Sequence, residues 1–292
     1  MSKKKPCEDV KSPASKAGQL IGAAFEHAVI EHIRHYLENN HPEYALLEPE
    51  AGKRSVKLDM HGGLARQMDN VFVYRANQQP VALMETKWLK DARHHNDKGA
   101  WILQLREVRK KYATIRGAAA VLAGHWTQGV GVMLMGEGGI KMVLVATDVQ
   151  VYSTLQPHLD ALLGDETYQL DARQMRDSTI RPRDFLRLLC HLHESNQLIE
   201  IARTWLDFMP DEATTPMHGR DLVTEAIKDL LRPLPQTPKI TKFEIALQVD
   251  TGNTIYMEFT DFEEAQAFLQ AYHANPDAIL RKISPQAADD DS

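Results

Sequence analysis

Three residues at the end of one apolar segment have the types and spacing for chemistry on a phosphodiester. Residues 80–88 read PVALMETKW, an apolar run that finishes in Glu85, Thr86 and Lys87. Packing alone gives a buried strand no reason to end in an acid and an amine. Side chains two residues apart on a strand point to the same face, so Glu85 and Lys87 should project together, with the Thr86 carbonyl beside them. An acid that holds a hard divalent cation, next to an amine that steadies a water or a growing negative charge, suits metal-assisted hydrolysis.

A second carboxylate, Asp69, is expected to lie opposite Glu85. It precedes the apolar run at 71–74, and a short polar turn at 76–80 separates that run from the next strand. An antiparallel hairpin is therefore predicted. The midpoint between Asp69 and Glu85 falls inside the turn, so the two acids would face each other across the strand pair. Asp59 is the alternative second acid, with a longer spacing and no clear strand behind it.

Apolar periodicity predicts the elements that must position these residues. Ile21, Phe25, Val29 and Ile33 recur every four residues, which predicts a helix over 17–38. This helix and the strands and helix predicted after it follow an order that is typical of a mixed sheet flanked by helices, an α/β fold. The further predicted elements are strands at 44–49, 67–75 and 80–88, a helix at 98–116, strands at 118–126, 130–136 and 140–149, a loop at 60–67 and a turn at 136–139.

Composition divides the 292 residues into five segments. Lys, Ser and Pro dominate the beginning of the chain, acids dominate its end, and prolines after the second helical region indicate a stiff linker. The predicted segments are a disordered basic tail at 1–16, a core at 17–155, a helical extension at 156–235, a small strand-strand-helix (α+β) module at 236–275 and an acidic tail at 276–292.

The acid-turn-acid-X-lysine pattern resembles the PD-(D/E)XK nuclease superfamily, the fold of many restriction endonucleases. The matching residues are Asp69 on one strand and Glu85, Thr86 and Lys87 on the next. The resemblance covers about residues 17–150, half of the chain. It implies a restriction-endonuclease-like core in which Asp69 and Glu85 bind Mg²⁺, with Mn²⁺ as a substitute. It also implies that Lys87 positions the attacking water, while strand alternation leaves the Thr86 carbonyl near the ion as a further ligand.

The resemblance extends to the preceding helix. Many members of the superfamily carry a glutamate there, and Glu26 is the matching residue, as a further catalytic and metal-binding candidate. Gly18, Gly22 and Glu26 share one helix face, so we expect the glycines to let this face approach the sheet closely. Gln104 is a candidate supporting residue on the helix after the site. Met68 stands where the family pattern has a proline.

One segment carries most of the local positive charge. The formal net charge of the chain is −6, yet residues 85–116 contain nine basic and four acidic residues. Cations next to a catalytic strand suit contacts to DNA phosphates, although a merely solvated helix face is the alternative. The candidate DNA-binding residues are Lys90, Arg93, Lys98, Arg106, Arg109 and Lys110.

The expected activity is magnesium-dependent endonuclease cleavage of double-stranded DNA, first of all by a type II-like restriction or phage-defence enzyme. The alternatives are a structure-specific repair or recombination nuclease and an inactive nuclease-fold module that binds DNA or protein. Cleavage of both strands needs two sites, so a homodimer is expected. No apolar run approaches the roughly 20 residues that cross a bilayer, so no membrane partner is expected. Two cysteines without metal-binding spacing favour a reducing cytoplasm.

Overall fold

The chain divides into two compact units, Met1–Arg232 and Pro233–Ser292. The first contains a five-stranded mixed sheet with helices on both faces, and the second contains a two-stranded sheet with two helices. The computed structural model describes residues 12–50, 55–90, 94–126, 128–163, 182–210, 216–233, 242–248, 250, 252 and 254–283.

The five-stranded sheet has the order β1-β4-β5-β6-β7. The first three of these strands pair antiparallel, whereas β5, β6 and β7 run parallel. The expected mixed sheet flanked by helices is confirmed at this level. The strands are β1 Tyr44–Leu46, β4 Asn70–Tyr74, β5 Gln79–Leu89, β6 Gly117–Gly124 and β7 Ile140–Thr147.

Two separate apolar cores cover the two faces of this sheet. The larger core lies on what we call the α1 face, and the smaller on the α2 face. The α1 face carries α1 Pro13–Asn40, α5 Asp148–Leu163, α6 Pro182–Glu194, α7 Gln197–Thr204 and α8 Gly219–Leu231. The α2 face carries α2 His95–Leu103, α3 Leu105–Lys111, α4 Gln128–Gly138 and a separate hairpin of β2 Val56–Asp59 and β3 Ala65–Met68.

The predicted first helix is confirmed, with an earlier start. Its apolar stripe of Ile21, Phe25, Val29 and Ile33 is fully buried against the sheet, as a repeat of four on one helix face requires. The helix begins at Pro13, because proline is tolerated in the first helical turn, where its missing N–H has no partner to lose. Residues 13–16 are therefore helical and do not belong to a disordered tail.

The strand predicted at 130–136 is wrong, because these residues belong to α4. A short apolar run without period fits a buried strand or a buried helix equally well. The neighbouring strands decide the matter: β6 and β7 are parallel, so the chain between them must cross over, usually as a helix. The turn predicted at 136–139 consequently ends a helix, and Gly139 takes the positive φ of 56° there.

Two further boundaries differ from the sequence expectations. The helix predicted at 98–116 is two helices, which break at Gln104 and end at Lys111. The loop predicted at 60–67 contains the first residues of β3, which pair with β2. This short hairpin was overlooked because Met68 and its neighbours read as the beginning of the next strand.

The second unit has the predicted strand-strand-helix order. Its hairpin is antiparallel, and the Asp261 side chain caps the first helix by accepting from the N–H groups of Glu263 and Glu264. A second helix, α10, then occupies the beginning of the segment assigned to an acidic tail at 276–292. The elements are β8 Phe243–Gln248, β9 Thr254–Phe259, α9 Phe262–Ala274 and α10 Pro276–Ile283.

Two observations bear on the expected surroundings of the protein. None of the helices in the described ranges is both long and apolar enough to span a bilayer. Cys190 is buried on α6 and Cys7 lies outside the described residues, so the expected reducing cytoplasm stays a prediction.

Candidate active site

The strand pair β4–β5 brings Asp69 and Glu85 together. Asn70 pairs with Met84 in the antiparallel register, and Asp69 directly precedes β4, so continuation of this register sets it beside Glu85. The predicted hairpin is confirmed. A β-bulge between Phe72 and Val73 lies on the turn side of the pair and leaves the alignment at the acids intact.

The side chain of Lys87 contacts both acids. Its Nζ donates a hydrogen bond to Oδ2 of Asp69 and lies 2.7 Å from Oε2 of Glu85. The same nitrogen donates to the carbonyl oxygen of Thr86 at 3.2 Å. Oxygens from Asp69, Glu85 and the Thr86 backbone therefore converge on one cationic point.

Strand alternation explains why Glu85 and Lys87 share a face. Leu83, two residues earlier on β5, belongs to the core of the α2 face, whereas Met84 belongs to that of the α1 face. The Thr86 hydroxyl, between the two functional residues, accepts a 3.4 Å hydrogen bond from Asn70. The period of two that the sequence suggested thus sorts the functional side chains from the packing ones.

Glu85 is a buried carboxyl, with no exposed side-chain surface. Burial, followed by the nearby negative charge of Asp69, raises the pKa of Glu85 to about 7. The cations of Lys87 and Arg66 partly oppose this rise. Perturbation of this kind, in a group with a specific charge partner, is common at functional sites.

Lys87 remains an ammonium ion at neutral pH. Burial alone would lower the pKa of this amine, but the charges of Glu85 and Asp69 outweigh burial and raise the pKa above its ordinary value. When all are ionised, Asp69, Glu85 and Lys87 carry one net negative charge, and the buried Arg66 guanidinium beside Glu85 brings the four groups to zero. A further cation at these two acids would therefore replace Lys87.

Glu26 lies near this group but not within it. It is half-buried on α1, and its pKa is raised first by burial and next by the charge of Asp69, while Lys87 lowers it. The glycine argument for its approach is wrong. A Cβ on Gly22 would meet nothing within 4 Å, and one on Gly18 would make an ordinary 3.7 Å contact with Trp88.

The expected metal ligands fit a hard cation in part. No cluster of three or more His, Cys, Asp or Glu side chains suited to a metal occurs in the described ranges, so Glu26 does not complete a set with the other acids. Two carboxylates and the Thr86 carbonyl do converge, and neither Glu85 oxygen accepts an aligned hydrogen bond within the described chain. Mg²⁺ is commonly held by one or two carboxylates while it keeps several waters, so Asp69, Glu85 and Thr86 suffice.

Asp59, the alternative second acid, occupies a different surface. It ends β2, pairs with Ala65 and is exposed. Its backbone N–H donates to the hydroxyl of Tyr112 at 3.2 Å. Asp69, and not Asp59, shares a cation with Glu85.

The candidate DNA-binding residues separate into different environments. Lys98 is exposed on α2, and Lys110 is exposed but lies 3.0 Å from Glu107. Lys90 and Arg106 are half-buried and already engaged in interactions. Arg93 lies outside the described residues.

Arg109 makes hydrogen bonds within the fold, and its assignment to DNA stays a prediction. The guanidinium is half-buried and donates to the carbonyl oxygens of Gly139 at 3.1 Å and Arg116 at 3.4 Å. Its hydrogen bonds therefore hold the beginnings of β6 and β7 beside α3.

Gln104 marks the break between α2 and α3. Its backbone N–H closes the last turn of α2 on Trp101, and its side chain is half-buried. Within the part of the chain that the structure describes, no hydrogen bond joins this side chain to the acids or to Lys87. The structure does not place Gln104 in the site.

Two residues of the site escaped the sequence analysis. Arg66 lay in the segment assigned to a loop, and Trp101 in the helix predicted at 98–116. In the structure, Nη2 of Arg66 lies 3.3 Å from Oε1 of Glu85, and Cζ of Arg66 lies 5.0 Å from the centre of the Trp101 ring. The alternation of Ala65, Arg66, Gln67 and Met68 was the available signal, since it sends Arg66 inward with Met68.

Comparison with family models, with curated proteins and with solved structures finds no match to the chain. The resemblance to the PD-(D/E)XK nucleases therefore stays a prediction from the sequence pattern of Asp69, Glu85, Thr86 and Lys87.

Proposed function

We propose that this chain is a metal-dependent DNA endonuclease whose catalytic centre is Asp69, Glu85 and Lys87. One observation carries the proposal: the Lys87 ammonium contacts both carboxylates and the Thr86 carbonyl at once. Oxygens that gather around a monovalent cation are of the type that hard divalent cations prefer. A buried Glu85 beside a half-buried Asp69 would otherwise cost folding free energy, because charged groups lose hydration there.

Each residue has a distinct task in this proposal. Asp69, Glu85 and the Thr86 carbonyl hold Mg²⁺, or Mn²⁺ in its place. The bound ion supplies polarisation of the phosphate and a lowered pKa for water. Lys87 leaves the carboxylates and uses its ammonium group to orient the water or to neutralise charge on the phosphate. Glu26, whose carboxyl interacts with the charges of Asp69 and Lys87, adds negative charge beside Asp69.

Double-stranded DNA is the proposed substrate, and a type II-like restriction or phage-defence enzyme the proposed kind of nuclease. Lys98, exposed on α2, supports contacts to DNA phosphates. Symmetric cleavage of both strands requires two copies of a single centre, which supports a homodimer. A structure-specific repair nuclease would use the same centre on a different substrate.

A second function is favoured by the same contacts. Lys87 is paired with both acids, and such pairing also suits an inactive module that retains the fold and binds DNA or protein. Lysine would then be a permanent replacement for a metal ion. This alternative predicts binding without cleavage.

The test is digestion of supercoiled, linear and branched DNA by the purified full-length chain with Mg²⁺, with Mn²⁺ and with EDTA. Divalent-dependent cleavage that is lost in Lys87→Met supports the proposed centre. Discrete products from linear DNA favour a restriction enzyme, and preference for branched DNA favours the repair nuclease. DNA binding without cutting under any of these conditions would establish the inactive module instead.

A further inference from the structure

We propose that Arg66 is a positioning residue that fixes the orientation of the Glu85 carboxylate, and that Trp101 seats Arg66 for this task. The inference rests on the proposed function, because it assigns to Glu85 the role of a cation ligand. It concerns two side chains to which the acid-X-lysine pattern gives no part.

Arg66 reaches Glu85 from outside the main sheet. It lies on β3, in the hairpin that packs on the α2 face, and its neighbour Met68 is buried in the core there. The Arg66 side chain is only 1% exposed, and its Nη2 lies 3.3 Å from Oε1 of Glu85. Lys87 lies beside the other oxygen, Oε2, at 2.7 Å. The two oxygens of one carboxylate are therefore divided between two cations.

Stability does not account for a charge at this position. None of the Nε, Nη1 and Nη2 atoms of Arg66 donates an aligned hydrogen bond within the described residues. Burial lowers the pKa of this guanidinium, with opposition from Glu85 and Asp69. A buried ion pair with unsatisfied donors is often no more stabilising than apolar residues of similar volume. The guanidinium is better explained by what it does to Glu85.

Trp101 provides the support that hydrogen bonds do not. The Arg66 guanidinium carbon lies 5.0 Å from the centre of the indole ring, within the range of a cation–π contact. Trp101 is 42% exposed, so it is not simply a core residue of α2. Its ring covers a buried cation, and part of the residue remains in solvent.

The division of the carboxylate has a consequence for the cation site. When Lys87 moves to the water or the phosphate, Oε2 loses its partner, whereas Oε1 keeps Arg66. A carboxylate held at one oxygen cannot turn freely, so Oε2 stays directed toward the position that Asp69 also faces. Arg66 and Trp101 would therefore preserve the ligand geometry during the step in which Lys87 leaves it.

The experiment measures Mn²⁺ binding to the metal-free full chain by titration calorimetry, without DNA. Arg66→Lys keeps the positive charge but loses the planar guanidinium. Trp101→Leu keeps the charges of Arg66 and Glu85 but loses the aromatic ring. Each is expected to weaken Mn²⁺ affinity by about 10-fold, the effect typical of partners that orient metal ligands. Trp101→Phe retains a ring face and is the conservative control, with affinity within roughly 2-fold of the parent. Circular dichroism checks that each variant is folded.

The outcomes separate this inference from the proposed function. If the parent binds Mn²⁺ and the folded variants bind it equally well, the positioning role is overturned and the metal site stands. If the parent binds no Mn²⁺, the proposed function fails and this inference fails with it. If Arg66→Lys does not fold, the comparison of Trp101→Leu with Trp101→Phe decides. A lower Mn²⁺ affinity in Trp101→Leu supports the positioning role, and equal affinities in the two variants refute it.

Discussion

The backbone N–H of Thr86 donates a hydrogen bond to Oδ2 of Asp69 at 2.9 Å. This bond ties the residue before β4 to the end of β5, beyond the last paired residues of the ladder. The same Oδ2 accepts from Lys87. Asp69 is thus oriented by the main chain as well as by the lysine, and it keeps its position if the lysine departs.

We expect Asp69→Asn to abolish divalent-dependent cleavage. The amide can still accept from the Thr86 N–H, so the fold should persist, but a neutral oxygen is a poor ligand for a hard cation. Loss of partners that only orient ligands costs about 10–100-fold, so loss of a ligand should cost on the order of 100-fold or more. Asp59→Asn, on the exposed end of β2, is the matched control and should cleave like the parent. Initial rates on plasmid DNA measure both; equal rates would rule out Asp69 as a ligand.

Lys87→Met should make the site more responsive to added metal. The substitution removes the ammonium that contacts both acids, so a divalent cation no longer competes with it. We expect Mn²⁺ to stabilise this variant more than the parent by about 1 kcal/mol, or roughly 2–4 °C in Tm. Thermal unfolding with Mn²⁺ and with EDTA measures the shift.

The control for this shift is Lys141→Met, which removes an exposed lysine paired with Asp229. Its response to Mn²⁺ should equal that of the parent. A shift in Lys87→Met that is no larger than the shift in Lys141→Met would contradict the shared cation position.

Glu85 should make the unfolding free energy fall as pH rises. Its pKa of about 7 in the folded chain lies above the ordinary 4.5, so the folded chain keeps a proton that the unfolded chain releases between these values. Stability from this group is complete below 4.5 and is lost by about pH 7. The full effect is on the order of 3 kcal/mol.

Urea unfolding at about pH 5 and about pH 8, on the parent and on Glu85→Gln, isolates this contribution. Groups other than residue 85 are the same in both proteins, so their contributions cancel in the difference. The variant should lose less stability than the parent on going to the higher pH. An identical loss in both proteins would show that the carboxyl is already ionised at the lower pH.

Lys98→Ala should weaken DNA binding, whereas Arg109→Ala should lower the stability of the fold. Lys98 is exposed, so its loss should weaken binding to duplex DNA and reduce the salt dependence by about one phosphate contact, with Tm unchanged. Arg109 donates to Gly139 and Arg116, so its loss should destabilise the fold by about 1–3 kcal/mol. Fluorescence anisotropy in EDTA and thermal unfolding measure the two effects. If Arg109→Ala is as stable as the parent but binds DNA more weakly, Arg109 contacts DNA instead of stabilising the fold.

Gly22→Ala and Gly124→Ala should also diverge. A Cβ at Gly22 meets nothing within 4 Å, so alanine should stabilise α1 by about 0.5–1 kcal/mol. Gly124, with φ of +94°, would place a Cβ 2.1 Å from the carbonyl oxygen of Leu89, and this variant should be strongly destabilised. Denaturant unfolding compares both with the parent; loss of stability in Gly22→Ala would revive the idea of a close approach at that position.

The hairpin that aligns Asp69 with Glu85 was predictable from the sequence because its cause is local. A polar turn between two apolar runs sets the register, and the period of two sets the face of Glu85 and Lys87. The helix over the α1 face was likewise predictable from its own stripe. These features depend on neighbours within about 20 residues.

Features that depend on distant partners were not predictable. The helix at Gln128–Gly138 follows from the parallel order of β6 and β7, which no pattern within the helix reveals. Arg66 meets Glu85 and Trp101 only when a hairpin and a helix pack together. Arg109 is a typical surface cation by sequence, yet one of its acceptors is the carbonyl oxygen of Gly139, 30 positions away along the chain.

The charged residues on β5 also disfavour a one-residue shift in the register between β4 and β5. Shifting one strand of this pair by a single residue would keep most main-chain hydrogen bonds but turn Glu85 and Lys87 toward the apolar helices of the opposite layer. Such a mispaired chain would bury two charges in hydrocarbon and leave Asp69 beside the wrong neighbours. Only the correct alignment keeps both charged side chains beside partners of opposite charge. Glu85 and Lys87 therefore also disfavour misaligned pairing of the two strands.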